Sequence, residues 1–367
     1  MKYFTQTVVQ ERVKDFFIHG IENDRLAHAY IFYSPQGAGK EAFAFELAKT
    51  LNCTSDSLRP CGECSSCKKI SALGHPDIKY IFPMKKDTPA DKVIELVKQK
   101  AQNPYASLPL SGHINIPIEL IRTLKEEAKY APYEARMRFF IISGAEYLAG
   151  PAANSFLKLL EEPPKNLMII LITTQLDSLL DTIRSRCQPV YFPNFTDDEI
   201  IAIVKKYEEV DESIVSKIAV AQNDIEKVFD LLYSDTATEL ELVYNYLRSL
   251  AKGNFLEVSK IIDEMVSRRD KRYTLEILNQ ILLWFRDSFH YLLTGDNTSI
   301  VNKDYAEQIA KFADYYQAAD YHRIVELIEK TQQDISGNGN PAMAFFNLAI
   351  KIREELLKSA SQKKEIV

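Results

Sequence analysis

Apolar positions in the first half of the chain come in short blocks separated by amphipathic stretches. HAYIFY, His28 to Tyr33, is too short for a buried helix and rich in aromatic and β-branched residues. It predicts a buried strand that ends at a glycine-rich turn. Ile78 to Phe82, Arg138 to Ile142, Leu167 to Thr174 and Pro189 to Phe192 share this character and predict further strands. Between them, Glu41 to Asn52 and Ile118 to Tyr130 have helical periodicity. Pro151 to Glu162 predicts a helix with proline at its first position and Pro163 and Pro164 at its stop. Strands alternating with helices predict an α/β domain with a largely parallel sheet.

The pattern changes after Pro193. Thr196 to Leu232 reads as a small helical bundle, with Asp197 and Asp198 in a first turn where negative charge suits the helix dipole. From about Thr236 the period is helical almost throughout, and the last strong helix has Asn340 as N-cap and Pro341 at its first position. The expected division is an α/β domain over 1–193, a helical lid over 194–235, an all-α domain over 236–360 and a tail over 361–367. Lys85 to His113 breaks the alternation. It holds an amphipathic stretch, Ala90 to Gln102, followed by NPYASLPLSG, and is read as an insertion.

A chain of 367 residues with 46% hydrophobic and 26% charged residues suits a globular protein of two or three domains. Neither a signal-peptide pattern nor a run of ~18 apolar residues is present, so a cytoplasmic, membrane-free protein is expected. Net charge is −6 and no basic stripe is evident, which disfavours a protein that grips DNA by itself.

Three clusters carry candidate chemistry. SPQGAGKE, Ser34 to Glu41, lies between a strand and a helix, the context of a phosphate loop. Gly37, Gly39 and Lys40 are present, but Ser34 replaces the first glycine and Glu41 the hydroxyl that would bind Mg²⁺. The strand RFFII ends in Ser143 and Gly144, where phosphate-loop ATPases carry an Asp and often a Glu. Glu146 comes two residues late. Hydrolysis by this chain is therefore not expected, ATP binding is in doubt, and a chance glycine-rich turn is the bland alternative.

The second cluster is Cys53, Cys61, Cys64 and Cys67, whose C-x₂-C spacings suit a closed tetrahedral zinc site with a structural role. Disulfides, free thiols or an iron–sulfur cluster are the alternatives. Cys187 stands apart and reads as a small buried hydrophobe. The third cluster, TIRSRCQPVYF, sets Arg184, Ser185 and Arg186 before the final strand. An arginine there can stabilise a neighbouring subunit's transferring phosphoryl, or simply form a local salt bridge.

Taken in order, RLAHAYIFYSPQGAGKE, CGECSSC, GHPD (Gly74 to Asp77), AANSFLKLLEEPP (Ala152 to Pro164), TIRSRCQ and GNGNPAMAFFNLAIKI resemble the delta-prime and gamma/tau subunits of the bacterial clamp loader, of the AAA+ superfamily. The likeness spans most of the chain. It implies an AAA+ module with a helical lid, then a helical collar that holds a ring together. It also implies gamma/tau and delta subunits as partners, a sliding clamp as cargo and primer-template DNA as the loading site. By the resemblance, Arg186, with Ser185 in the SRC motif, is an arginine finger acting in trans. Ile225 stands where the lid usually has a nucleotide-sensing arginine. Gamma/tau subunits keep an intact phosphate loop and acidic pair, so this chain sides with the delta-prime branch. Asn154 and Lys158 lie four residues apart on one helix face and are candidate DNA contacts, or merely solvated. Two rival readings are an active ATPase using Lys40 and Glu146, and a free-standing zinc DNA-binding protein.

Overall fold

The predicted blocks assemble as a twisted parallel sheet between helices. The computed structural model describes residues 2–362, apart from 9, 35–36, 109–113, 149, 211–213, 234–235, 268–270, 297–299 and 338. The chain divides into two compact units, Met1–Leu232 and Tyr233–Val367.

In the first unit the elements run β1 (Lys2–Tyr3), α1 (Glu11–Glu22), β2 (Ala29–Tyr33), α2 (Lys40–Asn52), β3 (Leu58–Arg59), α3 (Ser65–Ser71), β4 (Ile78–Ile81), α4 (Ala90–Gln102) and α5 (Ile118–Ala128). They continue with β5 (Arg138–Ser143), α6 (Gly150–Glu161), β6 (Leu167–Thr173), α7 (Asp181–Arg184), β7 (Gln188–Tyr191), α8 (Asp197–Val204), α9 (Ile214–Ala221) and α10 (Ile225–Tyr233). Among the described residues, five strands form one sheet in the order β4-β5-β6-β2-β7, every pair parallel. A parallel sheet must be covered on both faces. Accordingly, Phe140, Ile142, Ile169 and Leu171 point to one face, against Leu124 of α5 and Phe156 of α6. Phe139, Ile141, Met168 and Ile170 point to the other, against Phe17 of α1 and Phe43 of α2. Strand β2, between β6 and β7, delivers the loop Ser34–Glu41 to the carboxyl edge of the sheet, where open α/β sheets hold ligands.

Most predicted boundaries shift by a residue or two, and two of these shifts have a local cause. α6 begins at Gly150, so Pro151 is its second residue; no residue of the first turn has a helical partner for its N–H, so proline fits either place. α5 stops at Ala128, not Tyr130, because Arg138 Nη1 takes the carbonyls of Glu127 and Tyr130 (3.0 Å for the latter) and Nη2 that of Ala131 at 3.1 Å.

The second unit contains α11 (Thr236–Lys252), α12 (Phe255–Ser267), α13 (Lys271–Thr294), α14 (Ala306–Tyr315), α15 (Tyr321–Ser336) and α16 (Pro341–Gln362). Its core is built on Tyr246, Trp284, Phe285 and Phe345. Asn340 accepts the Met343 N–H at 3.1 Å, capping α16. That helix runs to Gln362, so two residues expected in the tail are helical, and 363–367 lie outside the described residues.

One buried ion pair braces the sheet's edge. Asp77, before β4, accepts backbone N–H groups of Tyr133, Glu134 and Ala135 at 2.7, 2.8 and 3.0 Å, and Arg138 Nη2 at 3.0 Å. Burial opposes its charge, but these donors prevail and hold the carboxyl at about 2. Its folded value lies below the ordinary carboxylate value, so its stabilisation, about 2 kcal/mol, is present above about pH 4 and lost as pH falls toward 2. Asp77→Asn should lower stability by about 3 kcal/mol at pH 7. Urea denaturation of both proteins from pH 7 to 2.5 should show the gap narrowing below pH 4; a gap independent of pH would refute this account.

Candidate functional site

The loop after β2 keeps the backbone of a phosphate loop. Gly37 and Gly39 have φ of 71° and 70°, a left-handed conformation that glycine adopts without steric cost. A Cβ on Gly39 would stand 2.7 Å from the Phe195 ring and 3.2 Å from Tyr105, and one on Gly37 would fall on the Asp224 carboxylate. Side chains from other segments thus press directly on the loop.

Its lysine does not reach outward. Lys40 is 6% exposed, and its Nζ donates to Ser34 Oγ at 2.7 Å. Burial lowers its pKa, while the carboxylates of Glu226, Glu41, Asp224 and Glu146 work against that shift. Glu41, expected to repel a polyphosphate, turns toward α4 and pairs with the buried ammonium of Lys100. It also accepts the Tyr80 hydroxyl at 2.8 Å. Burial pushes this carboxyl up, but Lys100, Ser143 and Tyr80 outweigh burial and hold it below its usual value. Ile225, the residue in place of a lid arginine, is buried, and its backbone N–H donates to the Gly37 carbonyl at 3.0 Å. Glu146 accepts the Thr174 hydroxyl at 3.2 Å. Neither Ser143 nor Gly144 offers the carboxylate that a metal-dependent hydrolase needs at this position.

The four clustered cysteines converge. Cys53 follows α2, Cys64 caps α3, and Cys67 lies in the first turn of α3. Their sulfurs all lie within 4.8 Å of one another. A tetrahedral ion with ~2.3 Å metal–sulfur bonds needs separations of about 3.8 Å, so small side-chain shifts close the site. Backbone N–H groups of Cys61 and Cys64 point at Cys53 Sγ and Cys61 Sγ at 3.3 and 3.4 Å; they lower the Cys61 thiol, while at Cys53 burial outweighs them and pushes the thiol up. Burial would raise the Cys64 thiol, but hydrogen bonds from Thr54 and Cys67 bring it down to about 6. The cluster can hold a metal ion. β3 lies within the module and pairs with β1, so the metal-binding loop also fixes the start of the chain.

At the opposite edge of β2, α7 leads into SRC. Arg186 Nη1 donates to the Thr182 carbonyl at 2.8 Å, and Nη2 pairs with Glu161 at 2.8 Å. Its side chain stays 34% exposed. Ser185 Oγ donates to the Thr182 carbonyl at 3.3 Å. Arg184 pairs with Asp177 and Asp181 at 3.2 and 3.5 Å. Cys187 is buried, and burial pushes its thiol up to about 12. Asn154 and Lys158 are exposed on α6.

The family of DNA polymerase III delta subunits matches residues 9–196, which is 188 of 367 residues. The chain belongs to that family. The resemblance drawn from the motifs is thereby borne out, and the parallel α/β core with its cysteine cluster and helical C-terminal part agrees with the expected AAA+ fold. The chain is 29% identical to DNA polymerase III subunit delta′ of Bacillus subtilis over 338 residues, 89% of this chain and 87% of that protein. It is 23% identical to the tau subunit of the same organism over 99% of this chain, but spans only 63% of that protein. A gamma/tau subunit of Mycobacterium tuberculosis is 32% identical over 184 residues, half of this chain and 27% of its own length. No helix among the described residues is long and apolar enough to cross a membrane.

Residue pattern alone missed Tyr80, Lys100, Tyr105, Asp224 and Glu226 around the phosphate loop, and Glu161 beside Arg186. Each reaches its partner across a distance in sequence that no local period reports. The one available signal was Glu41 itself, a carboxylate in a helix that must bury its face.

Purified protein should carry about one metal ion per chain, since four thiolates make one closed site. Cys64→Ser should lower metal content measured by elemental analysis and make residues 53–67 more open to proteolysis. Metal-free protein of unchanged stability would refute the site.

Proposed function

We propose that the chain is a non-catalytic, delta-prime-type subunit of the replicative clamp loader, which helps load a sliding clamp onto primed DNA. Its partners are the gamma/tau and delta subunits, the clamp and primer-template DNA, and it acts in the cytoplasm. The observation that carries this reading is an asymmetry. The chain's own site lacks metal-binding carboxylates at Ser143 and Gly144, with Lys40 folded onto Ser34, whereas Arg186 remains partly open at the edge of the fold. A cation without a substrate of its own suits a neighbour's γ-phosphoryl group, delivered in trans. Glu161 and the Thr182 carbonyl orient the guanidinium meanwhile.

The metal in the four-cysteine site is zinc in this reading, because a closed set of thiolates suits Zn²⁺ and leaves no open position for catalysis. The three-part division at about 193 and 235 follows the AAA+ pattern, with the second unit as collar. In support, α16 exposes Met343, Phe346, Ile350 and Leu357 at helical spacing, an apolar stripe suited to neighbouring subunits. Asn154 and Lys158 are the candidate phosphate contacts on the loaded DNA.

Two measurements test this. The isolated chain should hydrolyse ATP no faster than Lys40→Ala, and turnover that depends on Lys40 would favour an active ATPase. In a reconstituted complex, Arg186→Ala should leave assembly intact while slowing DNA-stimulated hydrolysis and clamp loading. A trans arginine contributes about 10³-fold at one site, but the gamma/tau sites keep theirs. Total turnover should therefore fall partially, and loading more. Arg184→Ala, the control, should behave as wild type. Normal loading by Arg186→Ala complexes, or their failure to assemble, would remove the finger role.

A further inference from the structure

The insertion at 85–113, of which 109–113 lie outside the described residues, has no part in the function above. Its base is closed by an antiparallel bridge between Met84 and Asn115, and its stretch from Lys100 to Ser107 touches both the start of α2 and the lid helices. We infer that the insertion is an internal ligand of the phosphate loop: Lys100 and Tyr105, with Asp224 from the lid, fill the nucleotide's place and latch the lid to the sheet. This rests on the family reading only in treating Ser34–Glu41 as a former phosphate loop.

The contacts come from four separate segments. Lys100, 2% exposed, pairs with Glu41 and donates to the Ala106 carbonyl at 2.7 Å. Tyr105 packs its ring on Gly39 and Phe195, and its hydroxyl donates to the Val8 carbonyl at 3.0 Å. It belongs to the same apolar cluster as Ile200, Ile225 and Phe229 of the lid. Ser107 Oγ donates to Asp230 of α10 at 3.0 Å. From the lid side, Asp224 rests on Gly37, and the Ile225 N–H binds the Gly37 carbonyl. Gln10 ties the same loop down, donating to the carbonyls of Ala38 at 3.0 Å and Pro193 at 2.8 Å.

The charges agree with the packing. Two ammonium groups, Lys40 and Lys100, face the carboxylates of Glu41, Asp224, Glu226 and Glu146. The oxygens of Ser34, its Oγ at 2.7 Å and its carbonyl at 3.4 Å, take the place of the phosphate oxygens such a lysine would otherwise meet, and the nearby carboxylates favour its charge. A triphosphate would add negative charge to a site already rich in it. It would also have to strip Glu41 of a buried partner, and an unpaired buried charge is far costlier than the pair. The latch therefore opposes both entry of nucleotide and opening of the lid.

The isolated full-length chain tests this, so the outcome is independent of the Arg186 experiment, which needs the complex. Lys100→Met leaves Glu41 unpaired and should lower Tm by about 10 °C. It should also speed amide exchange in α10 at least tenfold. Glu41→Gln with Lys100→Met removes both charges, keeps an acceptor for Tyr80, and should recover most of both losses. Ser107→Ala, too mild to unfold the chain, should speed exchange several-fold in α10 but not in α6. A fluorescent ATP analogue with Mg²⁺ should not saturate the wild type. The inference is overturned if α10 exchange is unchanged in Ser107→Ala and Lys100→Met, if the double variant is no better than the single one, or if the wild type binds the analogue at micromolar concentration.

Discussion

A carboxylate at position 41 sets the terms for the surrounding structure. Glu41 opens α2 on the side that faces the sheet edge, and burying it alone would cost several kcal/mol. Lys100, in the last turn of α4, supplies the missing charge. Once α4 lies across the loop, Asn103 Oδ1 accepts the Tyr105 N–H at 3.0 Å and turns the chain so that Tyr105 meets Gly39 and the lid. One charge at the head of a helix thus accounts for a segment that interrupts the α/β order, and for the lid's close seat on the phosphate loop.

The backbone of a phosphate loop and its chemistry are separable here. The glycines still adopt φ near 70° and α2 still begins at Lys40, because the strand-to-helix turn needs that path whatever it binds. What has changed is the partner of each polar group. Lys40 meets Ser34, Glu41 meets Lys100, and Gly37 meets the lid backbone. A site whose lysine, carboxylate and loop carbonyl are engaged internally contributes to folding instead of to binding, and its residues are selected by packing and charge pairing.

Local patterns were legible and distant compensations were not. Strands β2, β5 and β6 were readable because each is a short apolar run buried on both faces, as the inside of a parallel sheet demands; the edge strands β4 and β7 are only partly buried, and α4 was readable from its period. The cysteine module was readable because two C-x₂-C spacings converge on one point. The α6 start was displaced by one residue because proline is equally tolerated at either of two first-turn positions. The pairing of Arg138 with Asp77, of Lys100 with Glu41 and of Arg186 with Glu161 spans 61, 59 and 25 residues. Nothing in the spacing of charges along the chain distinguishes these from solvated residues.

That difference separates the interior from the edge. At Arg186 the carboxylate partner is 46% exposed and the arginine 34%, so water screens their pairing and its net value is small. A guanidinium held so lightly can exchange Glu161 for a stronger anion without unfolding anything. Lys100 cannot, because it is 2% exposed and its partner only 13%, and separation leaves two poorly solvated charges stranded. The same chemical pair is thus a latch in one place and a replaceable rest position in the other, and burial alone decides which.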